Sequence, residues 1–122
     1  QFDTADWLLV PVPLHHAKEK KRGFNQAYYL AKGMAKLTGL PIIQRNAVER
    51  VKNTKSQTGF SLEKRKQNIE KAFRVCPPNR VINKTCVIVD DVFTTGATSF
   101  ELATVLLNAG ARKIIITTVA EA

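Results

Sequence analysis

An α/β fold, a parallel sheet flanked by helices, is predicted by three observations on these 122 residues. Apolar runs alternate with stretches of helical periodicity at the spacing of βαβ units. The runs Val87-Ile88-Val89 and Ile114-Ile115-Ile116 are unbroken and β-branched, the pattern of strands buried on both faces. Basic and acid-bearing loop sequences follow directly on such runs, at the carboxyl ends of strands, where open α/β sheets bind ligands.

The elements follow in order. Trp7-Leu8-Leu9-Val10 reads as a first buried strand, ending near Pro11 and Pro13, which cannot donate to a ladder. A basic loop follows, with Lys18, Lys20, Lys21 and Arg22 inside five positions. Asn25 is a good N-cap. Ala27, Leu30, Ala31, Met34 and Leu37 then fall at helical spacing and should face the sheet, with Gly39 as the stop. Leu40-Pro41-Ile42-Ile43 reads as a second strand. From Gln44 to Leu62 the periodicity dissolves, and a functional loop is expected there. Ala72-Phe73-Arg74-Val75 reads as a short extended piece and Pro77-Pro78-Asn79 as a turn. The strand through Val87-Ile88-Val89 should end at Asp90-Asp91. Phe100 to Ala109 reads as a helix stopped by Gly110, apolar over much of its circumference and so well buried. Lys113 to Val119 is the last strand.

Composition narrows the class. One domain, spanning 1–122, is expected at this length. No apolar run reaches the ~18 residues of a membrane span. The chain starts at Gln1, shows no signal peptide, and reads as a piece of a longer protein. Cys76 and Cys86 have no ligand-spaced partners and make no disulfide framework, which points to a reducing cytoplasm. Net charge is +9, but residues 15–71 hold 14 Lys/Arg against 4 Asp/Glu. Such a segment suits a polyphosphate, a nucleic acid, a membrane surface or simply a solvated surface. His15 and His16 are adjacent, without visible partners, and read as exposed loop residues.

The chemistry concentrates in Val87-Ile88-Val89-Asp90-Asp91-Val92-Phe93-Thr94-Thr95-Gly96-Ala97-Thr98-Ser99. A strand leads into two carboxylates, then a small hydroxyl-rich loop, then a helix start. Loop amides, the free N–H groups of a helix start and the helix dipole converge on an anion. Gly96 lets the backbone approach it closely. Carboxylates beside a phosphate repel it unless they accept hydrogen bonds from sugar hydroxyls or act near a magnesium ion. A sugar phosphate uses all of these groups. An ordinary β–α turn, with Asp91 in the loop and Thr98 as N-cap, is the plainer alternative. No Walker loop and no dinucleotide fingerprint occurs.

This stretch resembles the signature of type I phosphoribosyltransferases, which bind 5-phosphoribosyl-1-pyrophosphate (PRPP): an apolar run, two acids, then, after Val92-Phe93, Thr-Thr-Gly-Ala-Thr. Val10-Pro11-Val12-Pro13 leading to Lys21-Arg22-Gly23-Phe24-Asn25-Gln26-Ala27, and Arg50 with Thr54, Gln57, Leu62, Arg65, Asn68 and Ala72-Phe73, further resemble the ComF family of competence proteins. The resemblance implies a type I phosphoribosyltransferase core, here without a recognisable base-binding hood. It implies a pyrophosphate-contacting loop after the first strand, with Lys18, Lys21 and Arg22, and a flexible loop at about 44–62. Asp90 and Asp91 would be the catalytic pair that orients ribose hydroxyls, and Thr94, Thr95, Gly96, Ala97 and Thr98 would hold the 5-phosphate. Mg2+ would act through PRPP, with Asp90 and Asp91 near it. The implied activity is transfer of phosphoribosyl to an unidentified nitrogen acceptor, in cells that take up DNA. A PRPP sensor without turnover, or an accessory protein touching single-stranded DNA or the competence machinery, are the other classes. Many members carry an N-terminal four-cysteine zinc ribbon, which this sequence lacks.

Overall fold

A computed structural model describes residues 5–13, 25–51, 73–93 and 97–121, with backbone alone for 78–79, 91–93, 97 and 119–121. Three parallel strands form the main sheet in the order β1-β4-β5: β1 (Trp7–Pro11), β4 (Thr85–Phe93) and β5 (Lys113–Glu121). Trp7 stands opposite Thr85 and Pro11 opposite Val89 on one side of β4, and Thr85 stands opposite Lys113 on the other. The parallel sheet read from the apolar runs is therefore present, with the acid-bearing strand at its centre.

Both faces of β4 are covered, as its unbroken apolar sequence requires. Cys86 and Ile88 pack on one face with Val10, Leu102 and Leu106. Val87 and Val89 pack on the other with Leu9 and Ala31. Full burial of each Leu or Ile contributes about 1.5–3 kcal/mol, so this strand and its two neighbours anchor the fold. Burial also pushes the Cys86 thiol up to about 11. A thiol whose folded pKa is raised keeps the protein's full stability below about pH 9 and loses it progressively from there to about pH 11. Two units correspond to at most about 2–3 kcal/mol. The alkaline loss of stability, followed by urea melts from pH 8 to 11, is expected to be smaller in Cys86→Val than in the parent.

Helix α1 (Gln26–Thr38) covers one face. Asn25 sits in extended conformation before it, and its side-chain oxygen accepts from the Ala27 N–H at 3.0 Å. The same side chain donates to the Val12 carbonyl at 3.2 Å, tying the helix start to the end of β1. Asn25→Ala removes both bonds and is expected to cost about 1–2 kcal/mol in urea unfolding. Gly39 ends the helix with φ 76°, its N–H reaching the Ala35 carbonyl at 2.8 Å. Ala27 and Ala31 are buried and let the helix approach the sheet, with Leu30 and Met34 against the core. Leu37 departs from expectation at 89% exposure, because it lies at the edge of the apolar stripe in the last turn.

Three further expectations change. Leu40–Ile43 is not a full strand: Ile42 makes a single parallel bridge to Leu9, framed by Leu9 N–H to Pro41 O and Ile43 N–H to Leu9 O, both 2.9 Å. Pro41 has no N–H to extend the ladder. Within the stretch read as a loop from Gln44 to Leu62, Val48–Arg50 is a strand, β2, paired antiparallel with β3 (Phe73–Val75). Residues 52–62 lie outside the described residues. The ribbon turns Val48, Phe73 and Val75 into the core and joins Glu49 to Arg74 by a 2.7 Å ion pair. Finally, β4 does not stop at the acids but runs through Asp90-Asp91 to Phe93, because β5 stays paired with it as far as Glu121.

Helix α2 (Ala97–Asn108) starts three residues before the apolar pattern that announced it, so Thr98 lies inside it and is not its N-cap. Leu102, Ala103 and Leu106 are buried, whereas Phe100 (60%) and Leu107 (50%) are exposed: one stripe, not most of the circumference, meets the sheet. Gly110 has φ 108° and accepts from Asn83 N–H, so the expected stop holds. In place of a plain turn, a 3-10 turn spans Pro78–Val81.

Candidate functional site

Because β1 and β4 are parallel neighbours, the segments that follow them leave from the same end of the sheet, with adjacent strands about 4.8 Å apart. After β1 and Pro13 comes the basic stretch 14–24, and then the capped start of α1. After β4 come 94–96 and the start of α2. The basic and hydroxyl-rich stretches, 70 residues apart in sequence, are thus rooted side by side. Lys18, Lys21, Arg22, Thr94, Thr95 and Gly96 lie outside the described residues, as do His15 and His16. Ala97 is the first residue of α2, and Thr98, half-buried, is in its first turn.

Asp90 is the best-defined site residue. It stands in the central strand opposite Thr118 and is half-buried. The Ser99 hydroxyl, 1% exposed in the first turn of α2, donates to Asp90 Oδ2 at 3.1 Å. This bond orients Asp90, whose carboxylate has about four lone-pair sites. Asp91 is placed by its backbone in β4. Ser99 was not singled out as a site residue. Its signal is weak: a serine after a hydroxyl-rich loop is unremarkable until the fold brings it to Asp90.

A cleft of about 360 Å³ opens beside this end of the sheet. Pro11 and Pro13, Asn25 and Tyr28, and Arg45, Asn46, Glu49 and Arg50 contribute to its walls. The Arg45 guanidinium lies 4.6 Å from the Tyr28 ring centre and that of Arg50 lies 5.4 Å from Phe73. Burial lowers the pKa of Arg50, and the negative charges of Glu101 and Asp90 work against that shift. Glu101 shows the complement: burial raises its pKa while Arg50 holds it down. The arginine stays charged, since its unperturbed value is far above neutrality. Glu101 carried no signal in the sequence, where it is one acid on an apolar helix.

Among the described residues no three His, Cys, Asp or Glu side chains cluster as a metal cage, and none of the helices is long and apolar enough to cross a membrane. Cys76 and Cys86 are free thiols.

The sequence profile of the phosphoribosyl transferase domain matches residues 20–122, and the chain belongs to that family. Within it, the relatives bear out the ComF resemblance. Competence protein F of Haemophilus influenzae is 36% identical over 107 residues, 87% of this chain and 46% of its own. DNA utilization protein YhgH of Escherichia coli K12 is 38% identical over 106 residues, 87% of this chain and 45% of its own. Competence protein ComFC of Bacillus subtilis is 31% identical over 111 residues, 89% of this chain and 42% of its own. The chain therefore spans less than half the length of these relatives. Among solved structures, one titled as the allosteric regulatory enzyme of purine biosynthesis superposes with a TM-score of 0.59 at 24% identity, over 92% of this chain and 21% of its own. That likeness establishes the fold.

Proposed function

We propose that this domain binds PRPP and transfers its phosphoribosyl group to a nitrogen acceptor, in a cytoplasmic protein that serves the uptake and use of DNA. The observation that carries this reading is Asp90: a carboxylate in the central strand, oriented by the buried Ser99 hydroxyl at 3.1 Å, three residues before that strand ends at Phe93 and gives way to the phosphate-type loop. Asp90 and Asp91 accept hydrogen bonds from the ribose hydroxyls. Thr94 to Thr98 hold the 5-phosphate at the start of α2. Lys18, Lys21 and Arg22, rooted at the neighbouring strand end, neutralise the pyrophosphate. The acceptor nitrogen forms a bond to C1 of the ribose as the C1–O bond breaks, the electron pair leaves on pyrophosphate, and the nitrogen's proton passes to solvent. Charge builds on the leaving group, so fixed positive groups lower the barrier without a protein nucleophile. A magnesium ion carried mainly by substrate oxygens, near Asp90 and Asp91, would neutralise the pyrophosphate.

The loop after β1 separates the leaving group from the sugar. Lys21→Ala with Arg22→Ala is expected to weaken PRPP about tenfold to a hundredfold per lost charged contact while ribose 5-phosphate binds as before. Equal losses for both ligands would remove the pyrophosphate assignment. Turnover itself is tested by screening amines and bases for PRPP consumption with the full-length protein; pyrophosphate release with none of them would leave a PRPP sensor.

A second reading has its own observation. On α1, Tyr28 and Tyr29 lie edge to face with centroids 5.9 Å apart, and Lys32 Nζ lies 5.8 Å from each ring. Aromatic platforms interleaved with cations suit single-stranded DNA. This reading expects a steep fall of DNA affinity with salt, and its loss in Tyr29→Ala with Lys32→Ala while PRPP binding is kept.

A further inference from the structure

Arg45 and Asn46 form the tip of a tight turn, closed by the Ala47 N–H donating to the Gln44 carbonyl at 2.8 Å. The turn is anchored on both sides. Ile43 and Ala47 are buried, the Ile43 N–H donates to the Leu9 carbonyl at 2.9 Å, and the Ala47 carbonyl accepts from the Cys76 N–H at 2.7 Å. From this fixed tip the Arg45 guanidinium lies 4.6 Å from the centre of the Tyr28 ring on α1. On the ribbon, the Arg50 guanidinium lies 5.4 Å from the centre of the Phe73 ring. Both arginines, Tyr28 and Asn46 line the same cleft of about 360 Å³. Glu49, the acid among its described lining residues, is paired with Arg74 at 2.7 Å. Pro11 and Pro13 give the cleft a stiff wall at the end of β1.

We propose that this cleft binds a 5′-mononucleotide, its base stacked on the Arg45 guanidinium and its phosphate at Arg50, as a second ligand beside PRPP. The cleft is of the size that holds small ligands. Two cations seated on aromatic rings, one on α1 and one on the ribbon, call for an anion. A planar guanidinium backed by Tyr28 presents a flat face, and nucleobases stack on such faces. Asn46, at the same tip, offers a donor and an acceptor to a base edge. An inorganic polyphosphate would not use the Arg45–Tyr28 stack, and an apolar compound would not use the arginines. The site is distinct from the ribose site. Pro11 stands opposite Val89 on one edge of β1, whereas Ile42 bridges Leu9 on the other. The turn of Arg45 and Asn46 continues from that second edge, so β1 stands between it and Asp90. The proposal does not depend on Asp90 being a ribose ligand.

The test is calorimetry on the full-length protein with adenosine 5′-monophosphate, adenosine, PRPP with magnesium, and a single-stranded oligonucleotide. Adenosine 5′-monophosphate is expected to bind at least about tenfold more tightly than adenosine, and Arg50→Gln to narrow that gap. Arg45→Ala is expected to weaken the mononucleotide about tenfold, the worth of a lost stack, and to leave PRPP affinity unchanged. Arg45 is exposed, so this variant keeps the fold; Tyr28→Ala is expected to give a similar loss. Saturating PRPP is expected to leave the mononucleotide bound. No binding of adenosine 5′-monophosphate at millimolar concentration, or equal binding by the parent and Arg45→Ala, would overturn the proposal and leave the PRPP reading untouched. Displacement of the mononucleotide by PRPP would make the cleft part of PRPP's own site, and the proposal would be wrong. Tighter binding of the oligonucleotide than of the mononucleotide, lost in Arg45→Ala, would mean that the cleft reads a DNA strand and would overturn a free nucleotide as its occupant.

Discussion

Replacing Asp90 and Asp91 together by asparagine is expected to weaken binding of PRPP with magnesium by at least about a hundredfold while the protein stays folded. The motive is the placement of the pair: adjacent in the central strand, with Asp90 half-buried and oriented by Ser99. A charged hydrogen bond contributes about 1.5–3 kcal/mol, and two carboxylates facing sugar hydroxyls supply at least two such bonds. Asparagine keeps the shape and one acceptor oxygen, so packing changes little. Calorimetry on a variant whose circular dichroism matches the parent decides the matter. Parent-like affinity would mean that the pair does not touch the ribose.

Leu102→Ala is expected to be the most damaging core truncation, at about 2–5 kcal/mol. Leu102 is wholly buried in α2, within the cluster that joins Val10 and Ile88 of the sheet to Phe73 and Val75 of the ribbon. Against a total stability of about 5–15 kcal/mol for an ordinary domain, that loss leaves little margin. The control is Leu107→Ala on the same helix. Leu107 is 50% exposed, and its truncation should change the urea midpoint by less than a third as much. Equal losses would mean that α2 is seated on the sheet by a different face.

What the sequence disclosed, it disclosed where a signal was long or local. Val87-Ile88-Val89 announces a strand covered on both faces, and two separate clusters cover it. Asn25 and Gly39 announce the ends of α1 because capping is a property of adjacent residues. Phe73–Val75 was legible as a short extended piece and is β3, but β2 and the pairing escaped, because three residues are too few for alternation to register and the two strands lie more than 20 residues apart. The true start of α2 escaped because Ala97-Thr98-Ser99 adds no apolar stripe. Leu37 was misplaced because helical spacing says which residues share a face but not how far the sheet extends beneath it. The candidate site divides in the same way. The acids and the hydroxyl-rich loop are contiguous and were legible, whereas Arg50, Ser99 and Glu101 join them only through folding.

The strand order has a consequence for how the molecule comes into being. β4, α2 and β5 are consecutive and form a local crossover unit, whereas Trp7 must find Thr85, 78 positions later. Contacts of such separation are made late, after the local ones have paid their way. As the chain is made, β1 has only the single bridge of Leu9 to Ile42 to pair with until β4 follows. Meanwhile the apolar first strand depends on other cover, and the free edge of β4 presents unpaired amides and carbonyls to any neighbour. A chain cut after Pro13 would carry that open edge permanently, and it would be expected to form insoluble assemblies through β4.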